Sequence, residues 1–272
     1  MPAPDLLAFA CALADAARRE TLRHAGRSIA AEDKSGGAEQ FDPVTLADRD
    51  AERAMRSLIA RHYPDHGVTG EEFGDKAPAG AFTWVLDPID GTRSYMCGLP
   101  TWTTLIALVE DGEPLLGIVD APALDQRYVG AAGECRLVSG SDGVELRASD
   151  CTALAEARLS TTDPFLFAGR AADSFDRLRR AVRTTRYGHD AYAYARLAAG
   201  GLDLVVECGL KRHDYAALIP VVRGAGGTFG DWSGGSDFAA GDVIAAATPQ
   251  LYAAAVAIMS ARRADAGPEA QG

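Results

Sequence analysis

Between residues 82 and 138 the chain carries five apolar, β-prone runs in close succession, and this crowding constrains the fold more than any other feature. The runs are 82–86 (FTWVL), 102–110 (WTTLIALVE), 115–120 (LLGIVD), 126–130 (QRYVG) and 134–138 (ECRLV), and the later ones read as strands of a meander. Asp111-Gly112 is a hairpin turn signal between two of them. Pro88 cannot donate to a ladder, so the first run is expected to end there.

Around this block the pattern turns helical or alternating. Asp5 can cap a first helix whose apolar face is Leu6, Phe9, Ala10, Leu13 and Ala17, with Gly26 as its stop. Residues 31–43 are polar and Gly-rich and are expected to form a loop, a candidate mobile lid. A second helix carries Ala47, Ala51, Ala54, Met55, Leu58, Ile59 and His62 on one stripe, with Asp48 at the stripe's edge. In the second half a strand near 156–160, a helix near 172–182, a helix over 191–199 and a strand over 202–207 (LDLVVE) follow in turn. A helix over 214–223, a strand over 243–246 and a last helix over 249–262 complete the series. The expectation is a single mixed α/β (α+β) domain over 1–262, with halves of about 1–150 and 151–262 and a disordered tail at 263–272.

Charge narrows the function classes. With 27 Lys and Arg against 38 Asp and Glu, the formal net charge is −11, which speaks against nucleic acid as a partner. A phosphorylated substrate stays possible if bound cations invert the local field. The five cysteines are scattered, with no CxxC pair, so neither a disulfide framework nor a zinc ribbon is expected. No apolar run has the length of a membrane span, and the N-terminus lacks a basic segment before its apolar stretch. A cytoplasmic protein without membrane attachment is the expectation.

Three acidic clusters stand out: Glu71-Glu72, Asp87-x-x-Asp90, and Asp214 at a helix start. Hard divalent cations take several oxygen ligands, and magnesium favours carboxylates, water and substrate phosphate. Asp87 and Asp90 straddle a strand end and a stiff Pro-containing turn that also frees the Ile89 carbonyl. Gly91 and Thr92 would then present successive N–H groups to a phosphate. Plain alternatives stand beside this reading. Asp-Pro and Asp-Gly are ordinary turn dipeptides, and Asp214 by itself suits a helix N-cap.

Three stretches together carry a resemblance. They are Gly70-Glu-Glu followed by Trp84-Val-Leu-Asp-Pro-Ile-Asp-Gly-Thr92; His213-Asp214-Tyr-Ala-Ala-Leu running to Gly224-Ala-Gly-Gly227; and Asp42-Pro-Val-Thr-Leu-Ala-Asp48. In order and spacing they resemble the inositol monophosphatase superfamily of lithium-sensitive, magnesium-dependent phosphatases, over about residues 40 to 230. The resemblance implies a layered αβαβα sandwich with its site between the two halves, commonly as a homodimer. It implies that Glu71, Asp87 and the Ile89 carbonyl hold one Mg2+, that Asp87, Asp90 and Asp214 hold a second, and that Glu71 helps a third. It also implies that Thr92, oriented by Asp48, positions and deprotonates the attacking water, and that the Gly91 and Thr92 amides hold the phosphate.

Within the superfamily, residues 204–227 and the run Gly188-His-Asp-Ala-Tyr-Ala-Tyr194 resemble the histidinol-phosphatase branch more than the inositol branch. Histidinol phosphate carries an ammonium and an imidazole, so Glu207 and Asp190 are the carboxylates expected near its cationic end. Glu207 could instead be an exposed strand end, and Asp190 a helix N-cap. His213 stands where the branches usually have Trp or Tyr, and packing is its simpler role. Arg93, Tyr95 and Lys211 are candidate phosphate or access contacts that solvation alone also explains. The competing substrate class is inositol 1-phosphate or a broad set of sugar and nucleotide phosphates. A different class is a non-catalytic regulator of this fold, against which the full set Glu71, Asp87, Asp90, Thr92 and Asp214 argues.

Overall fold

Alternation of side chains along the central strands decides the layering. In a computed structural model, which describes residues 4–26, 31–33, 43–139 and 142–260, Trp84 and Leu86 face one apolar cluster while Val85 between them faces another. The first half holds α1 (Pro4–His24), β1 (Ala31–Asp33), β2 (Pro43–Thr45), α2 (Leu46–His62), β3 (Gly67–Gly70), β4 (Phe82–Asp90) and α3 (Thr92–Met96). The meander follows as β5 (Thr103–Glu110), β6 (Glu113–Ala121), β7 (Gln126–Ala131), β8 (Glu134–Ser139) and β9 (Asp142–Glu145). The second half holds β10 (Arg158–Thr161), α4 (Arg170–Ala181), β11 (Thr184–Tyr187), α5 (Tyr192–Ala198), β12 (Leu204–Glu207) and α6 (Arg212–Tyr215). It ends with α7 (Leu218–Gly224), β13 (Thr228–Gly230), β14 (Val243–Ala246) and α8 (Pro249–Met259).

Strands β3 to β9 form a seven-stranded sheet in chain order, parallel only between β3 and β4. A five-stranded sheet has the order β11-β10-β12-β14-β13, parallel among its first three strands. Helices α1 and α2 cover the outer face of the larger sheet through Leu13, Met55 and Ile59 against Trp84, Ile106 and Ile118. Helices α5 and α7 lie between the sheets, with Tyr194, Leu197, Val221 and Val222 packed against Leu105 and Val119 on one side and Val205 and Ala245 on the other. Helices α4 and α8 cover the smaller sheet through Phe175, Leu178, Leu251 and Met259 against Leu204, Val206 and Ile244. The result is an αβαβα sandwich. Each fully buried aliphatic side chain contributes about 1.5–3 kcal/mol, so three continuous clusters fix the order of layers. The middle layer approaches the sheet closely: a Cβ on Gly117 would lie 2.0 Å from the Ala217 carbonyl oxygen.

Several elements differ from the sequence expectation. The strand does not stop at Pro88 but runs to Asp90, because its register with β5 shifts between Asp87 and Asp90 and no ladder N–H is needed from the proline. The helix expected over 214–223 is two, since Pro220 has no N–H to offer the Ala216 carbonyl and the chain turns at Ala216-Ala217. Of the expected loop 31–43, residues 31–33 and 43 belong to a two-stranded ladder of β1 and β2. Residues 34–42, including Asp42 and most of the expected lid, lie outside the described residues, as does the tail 263–272. Among the described residues no helix is long and apolar enough to cross a membrane.

Candidate active site

The parallel pairing of β3 with β4 sets Gly70 opposite Leu86, so Glu71, just past the end of β3, follows beside Asp87 of β4. The acidic bend is tied to α2 by Glu52, which is fully buried and accepts the Glu72 N–H at 2.8 Å and the Arg56 Nε–H at 2.7 Å. Arg56 in turn donates to the Phe73 carbonyl at 3.0 Å. Sequence reasoning missed Glu52; its signal was the i,i+4 pair with Arg56 on a face otherwise apolar.

At the end of β4 the register shift turns both carboxylates the same way. Thr104 Oγ1 donates to the Pro88 carbonyl at 2.8 Å and steadies the irregular segment. Asp87 is 2% exposed, and its Oδ1 has no hydrogen-bond partner among the described residues. Asp90 Oδ2 accepts the Ala191 N–H at 2.6 Å, which joins β4 to the start of α5. Ile89 buries its side chain with Ala47, Tyr95 and Trp102, and its carbonyl accepts the Thr92 hydroxyl at 3.0 Å. Gly91 has φ 80°, a left-handed conformation open to glycine, and α3 starts at the next residue.

Asp214 enters from the middle layer. It is the third residue of α6, and its Oδ2 accepts the Lys211 N–H at 2.6 Å. Capping therefore engages one oxygen and leaves the other near His213 Nε2, at 3.5 Å. Asp214 is therefore not the N-cap itself, which is Lys211, but the residue whose side chain closes the cap from inside the first turn. Ligand-capable oxygens of Asp87, Asp90 and Asp214 all lie within 4.8 Å of one another. Glu71 lies outside that trio, but its charge acts on Asp48, Asp87, Asp90 and Asp214.

Like charges this close repel by about 3 kcal/mol per pair at an effective dielectric near 20. Burial first, then neighbouring carboxylates, push the Asp87 and Asp90 carboxyls well above their usual range, and burial raises Asp214. Asp90 and Asp214 keep some exposed surface, but the remaining sides are closed in by protein, which explains the strength of the shift. Asp48 on α2 is 1% exposed. Burial pushes it up to about 6 despite hydrogen bonds from Thr45. Its Oδ2 accepts from the Thr45 N–H at 2.8 Å and hydroxyl at 2.5 Å, while its Oδ1 is buried without a partner. The expected Asp48–Thr92 hydrogen bond is absent, because the Thr92 hydroxyl turns to the Ile89 carbonyl instead. A set of hard oxygens, crowded and including two buried atoms without a partner among the described residues, fits a hard divalent cation such as magnesium.

Beside the trio is a small pocket, lined on its polar side by Asp90, Thr162, Asp190, Tyr194, Glu207 and Asp214. Glu207 is 2% exposed, so the reading of an exposed strand end does not hold. It accepts the Thr162 N–H at 2.7 Å, the Thr162 hydroxyl at 3.0 Å and the Thr161 hydroxyl at 3.1 Å. Burial still pushes it up to about 8. Asp190 has φ 47° and makes no cap bond to α5; it crosses instead to α3, where Ser94 Oγ donates to its Oδ2 at 3.4 Å. A Cβ on Gly91 would meet the same Oδ2 at 2.9 Å. Tyr95 is a core residue whose hydroxyl donates to the Thr21 carbonyl at 2.7 Å, away from any phosphate role. Lys211 and Arg93 are exposed, and the charge of Arg93 reaches Asp190. Tyr194 was not singled out from the sequence, since an aromatic at helical spacing reads as core.

Known proteins resemble the chain in sequence and in fold. The model of the inositol monophosphatase family matches residues 4–264. A chloroplastic bifunctional phosphatase of Arabidopsis thaliana is 43% identical over 225 residues, covering 82% of this chain; the chain spans 63% of that protein's length. A histidinol-phosphatase of Mycobacterium tuberculosis is 36% identical over 228 residues, covering 82% of this chain and 86% of the relative. The solved structure of an inositol monophosphatase from Zymomonas mobilis superposes with a TM-score of 0.85 at 38% identity, covering 96% of this chain and 100% of the other.

Proposed function

The chain belongs to the inositol monophosphatase family and is a phosphatase of that type, and on that premise we propose that it is a magnesium-dependent histidinol-phosphate phosphatase. One observation carries the reading: oxygens of Asp87, Asp90 and Asp214 converge from separate layers beside partnerless Asp87 Oδ1 and Asp48 Oδ1. In this proposal Glu71, Asp87, Asp90, Asp214 and the Ile89 carbonyl hold two or three magnesium ions. Bound cations neutralise phosphate charge, acidify water and stabilise a leaving alkoxide.

The chain's own groups do the rest. The Gly91 and Thr92 N–H groups hold phosphate oxygens, made available by the left-handed turn at Gly91. Asp48, poised near neutrality, takes the proton of the attacking water at its free Oδ1, and the Thr92 hydroxyl orients that water. Asp190 and Glu207 bound the pocket that receives the leaving group, and their carboxyl oxygens offer acceptors to the N–H groups at the cationic end of histidinol phosphate. The histidinol-phosphatase relative supports this choice of substrate.

Side-by-side turnover of histidinol phosphate and inositol 1-phosphate with magnesium tests the proposal. The expected result is a higher kcat/KM for histidinol phosphate. A tenfold preference for inositol phosphate, about 1.4 kcal/mol in the barrier, would overturn the substrate assignment. Lithium sensitivity and a homodimeric state belong to the same reading and are checked by adding lithium to that panel and by light scattering.

A further inference from the structure

The pocket beside the carboxylates holds one polar group that the proposed chemistry does not use. Tyr194 is 1% exposed, and its hydroxyl is buried with no hydrogen-bond partner among the described residues. Its ring is fixed in the middle layer, where it meets Phe229 with centroids 6.0 Å apart. The residue also lines the pocket with Asp90, Asp190 and Glu207. The charges of Glu207, Asp90 and Asp214 all reach the phenol. An unpaired buried hydroxyl is costly, and the large majority of such groups in folded proteins have a partner. Phenylalanine would fill the same core space without that cost. A hydroxyl kept there points to a partner that arrives with the ligand.

Resting on the histidinol-phosphate reading, we propose that Tyr194 is a specificity-determining residue whose hydroxyl oxygen accepts a hydrogen bond from a nitrogen of the substrate's leaving group. The chemistry of the walls selects that partner. Glu207 already receives three hydrogen bonds from Thr161 and Thr162, so its capacity is largely used. Among the described residues, Asp190 accepts one long hydrogen bond, from Ser94. Tyr194 and Asp190 are therefore the acceptors left for an incoming donor. An ammonium or imidazolium N–H is all donor and suits an acceptor wall. A polyol hydroxyl both donates and accepts, and gains less from it.

The test is the full-length Tyr194→Phe variant, assayed with magnesium on histidinol phosphate and on inositol 1-phosphate, with thermal melts in the absence of metal. The expected result is a KM for histidinol phosphate raised about tenfold. KM for inositol 1-phosphate should change by less than about twofold. The metal-free melting temperature should be unchanged or higher, because the deleted hydroxyl has no partner in the fold. An equal rise for both substrates, no rise for histidinol phosphate, or a lowered melting temperature overturns the assignment. Wild-type preference is a separate readout. If the wild type favours inositol 1-phosphate, the substrate reading fails while Tyr194 still stands or falls on the ratio of the two KM changes. If histidinol phosphate is neither hydrolysed nor inhibitory, both fall.

Discussion

Asp87 is a buried carboxylate with two carboxylate neighbours inside 4.8 Å and an oxygen that nothing in the fold satisfies. Such a group weakens the metal-free fold and pays for itself only when a cation arrives. Asparagine keeps its shape and removes the charge. The Asp87→Asn protein is therefore expected to melt, without metal, at or above the wild-type temperature. Its magnesium affinity should fall, and turnover should drop by about a thousandfold or more, equivalent to roughly 4 kcal/mol. Calorimetric magnesium titration and steady-state kinetics check both halves, and wild-type turnover in this variant would undo the enzymatic reading. At this scale the sequence was readable where chemistry is written in spacing, as in Asp87-x-x-Asp90. It was unreadable at Glu52 and Tyr194, whose roles depend on which atoms lie across the fold.

Among the elements, the break between α6 and α7 aims Asp214, and it depends on how closely the middle layer sits on the sheet. Ala217, at that break, rests its carbonyl where a Cβ on Gly117 of β6 would come within 2.0 Å, with the Pro220 ring also touching. The Gly117→Ala substitution must push the layer outward or distort β6. A loss of about 2 kcal/mol or more in folding stability is expected from this overpacking, measurable as a lower urea midpoint, with weaker magnesium binding because α6 moves with α7. A midpoint equal to wild type would mean that the layer is not held tightly there. Pro220 is the seventh residue of the run 214–223, too deep for a proline in one regular helix, and it marks this break in the sequence; the apolar pattern of the run, read without it, gave one helix. Strands β5 and β6 were legible because both are long and apolar, and β7 and β8 because they follow in close succession, whereas the four-residue β9 was not read. Strands β3 and β11 were not, since both are short edge strands of mixed polarity whose pairing is decided by neighbours far along the chain.

For the whole molecule, the layers bring together carboxyls that all shift in one direction. Asp48 is raised to about 6 and Glu207 to about 8, and Asp87, Asp90, Asp190 and Asp214 are raised as well, in each case mainly by burial. Unfolded, these groups titrate near 4. Between about pH 4 and 8 the metal-free native state therefore holds more protons than the unfolded chain, and stability must fall as pH rises. One excess proton gives a slope of about 1.4 kcal/mol per pH unit. His66, lowered by burial and by Lys76, and His189, lowered by burial and by Arg186, act the opposite way near their own titration, but they are two groups against these six carboxyls and Asp242, which burial also raises. Asp203 and Asp231 are lowered and matter only at more acid pH. Magnesium reverses the trend, since its ligands must be deprotonated and binding releases the protons. Melting temperatures measured with chelator should thus decline from pH 5.5 to 8, while the rise on adding magnesium should widen over the same range. A metal-free melting temperature that climbs across this interval would show that the carboxyls are already ionised in the empty fold. The crowding of Asp48, Asp87, Asp90 and Asp214 would then need a partner other than a divalent cation.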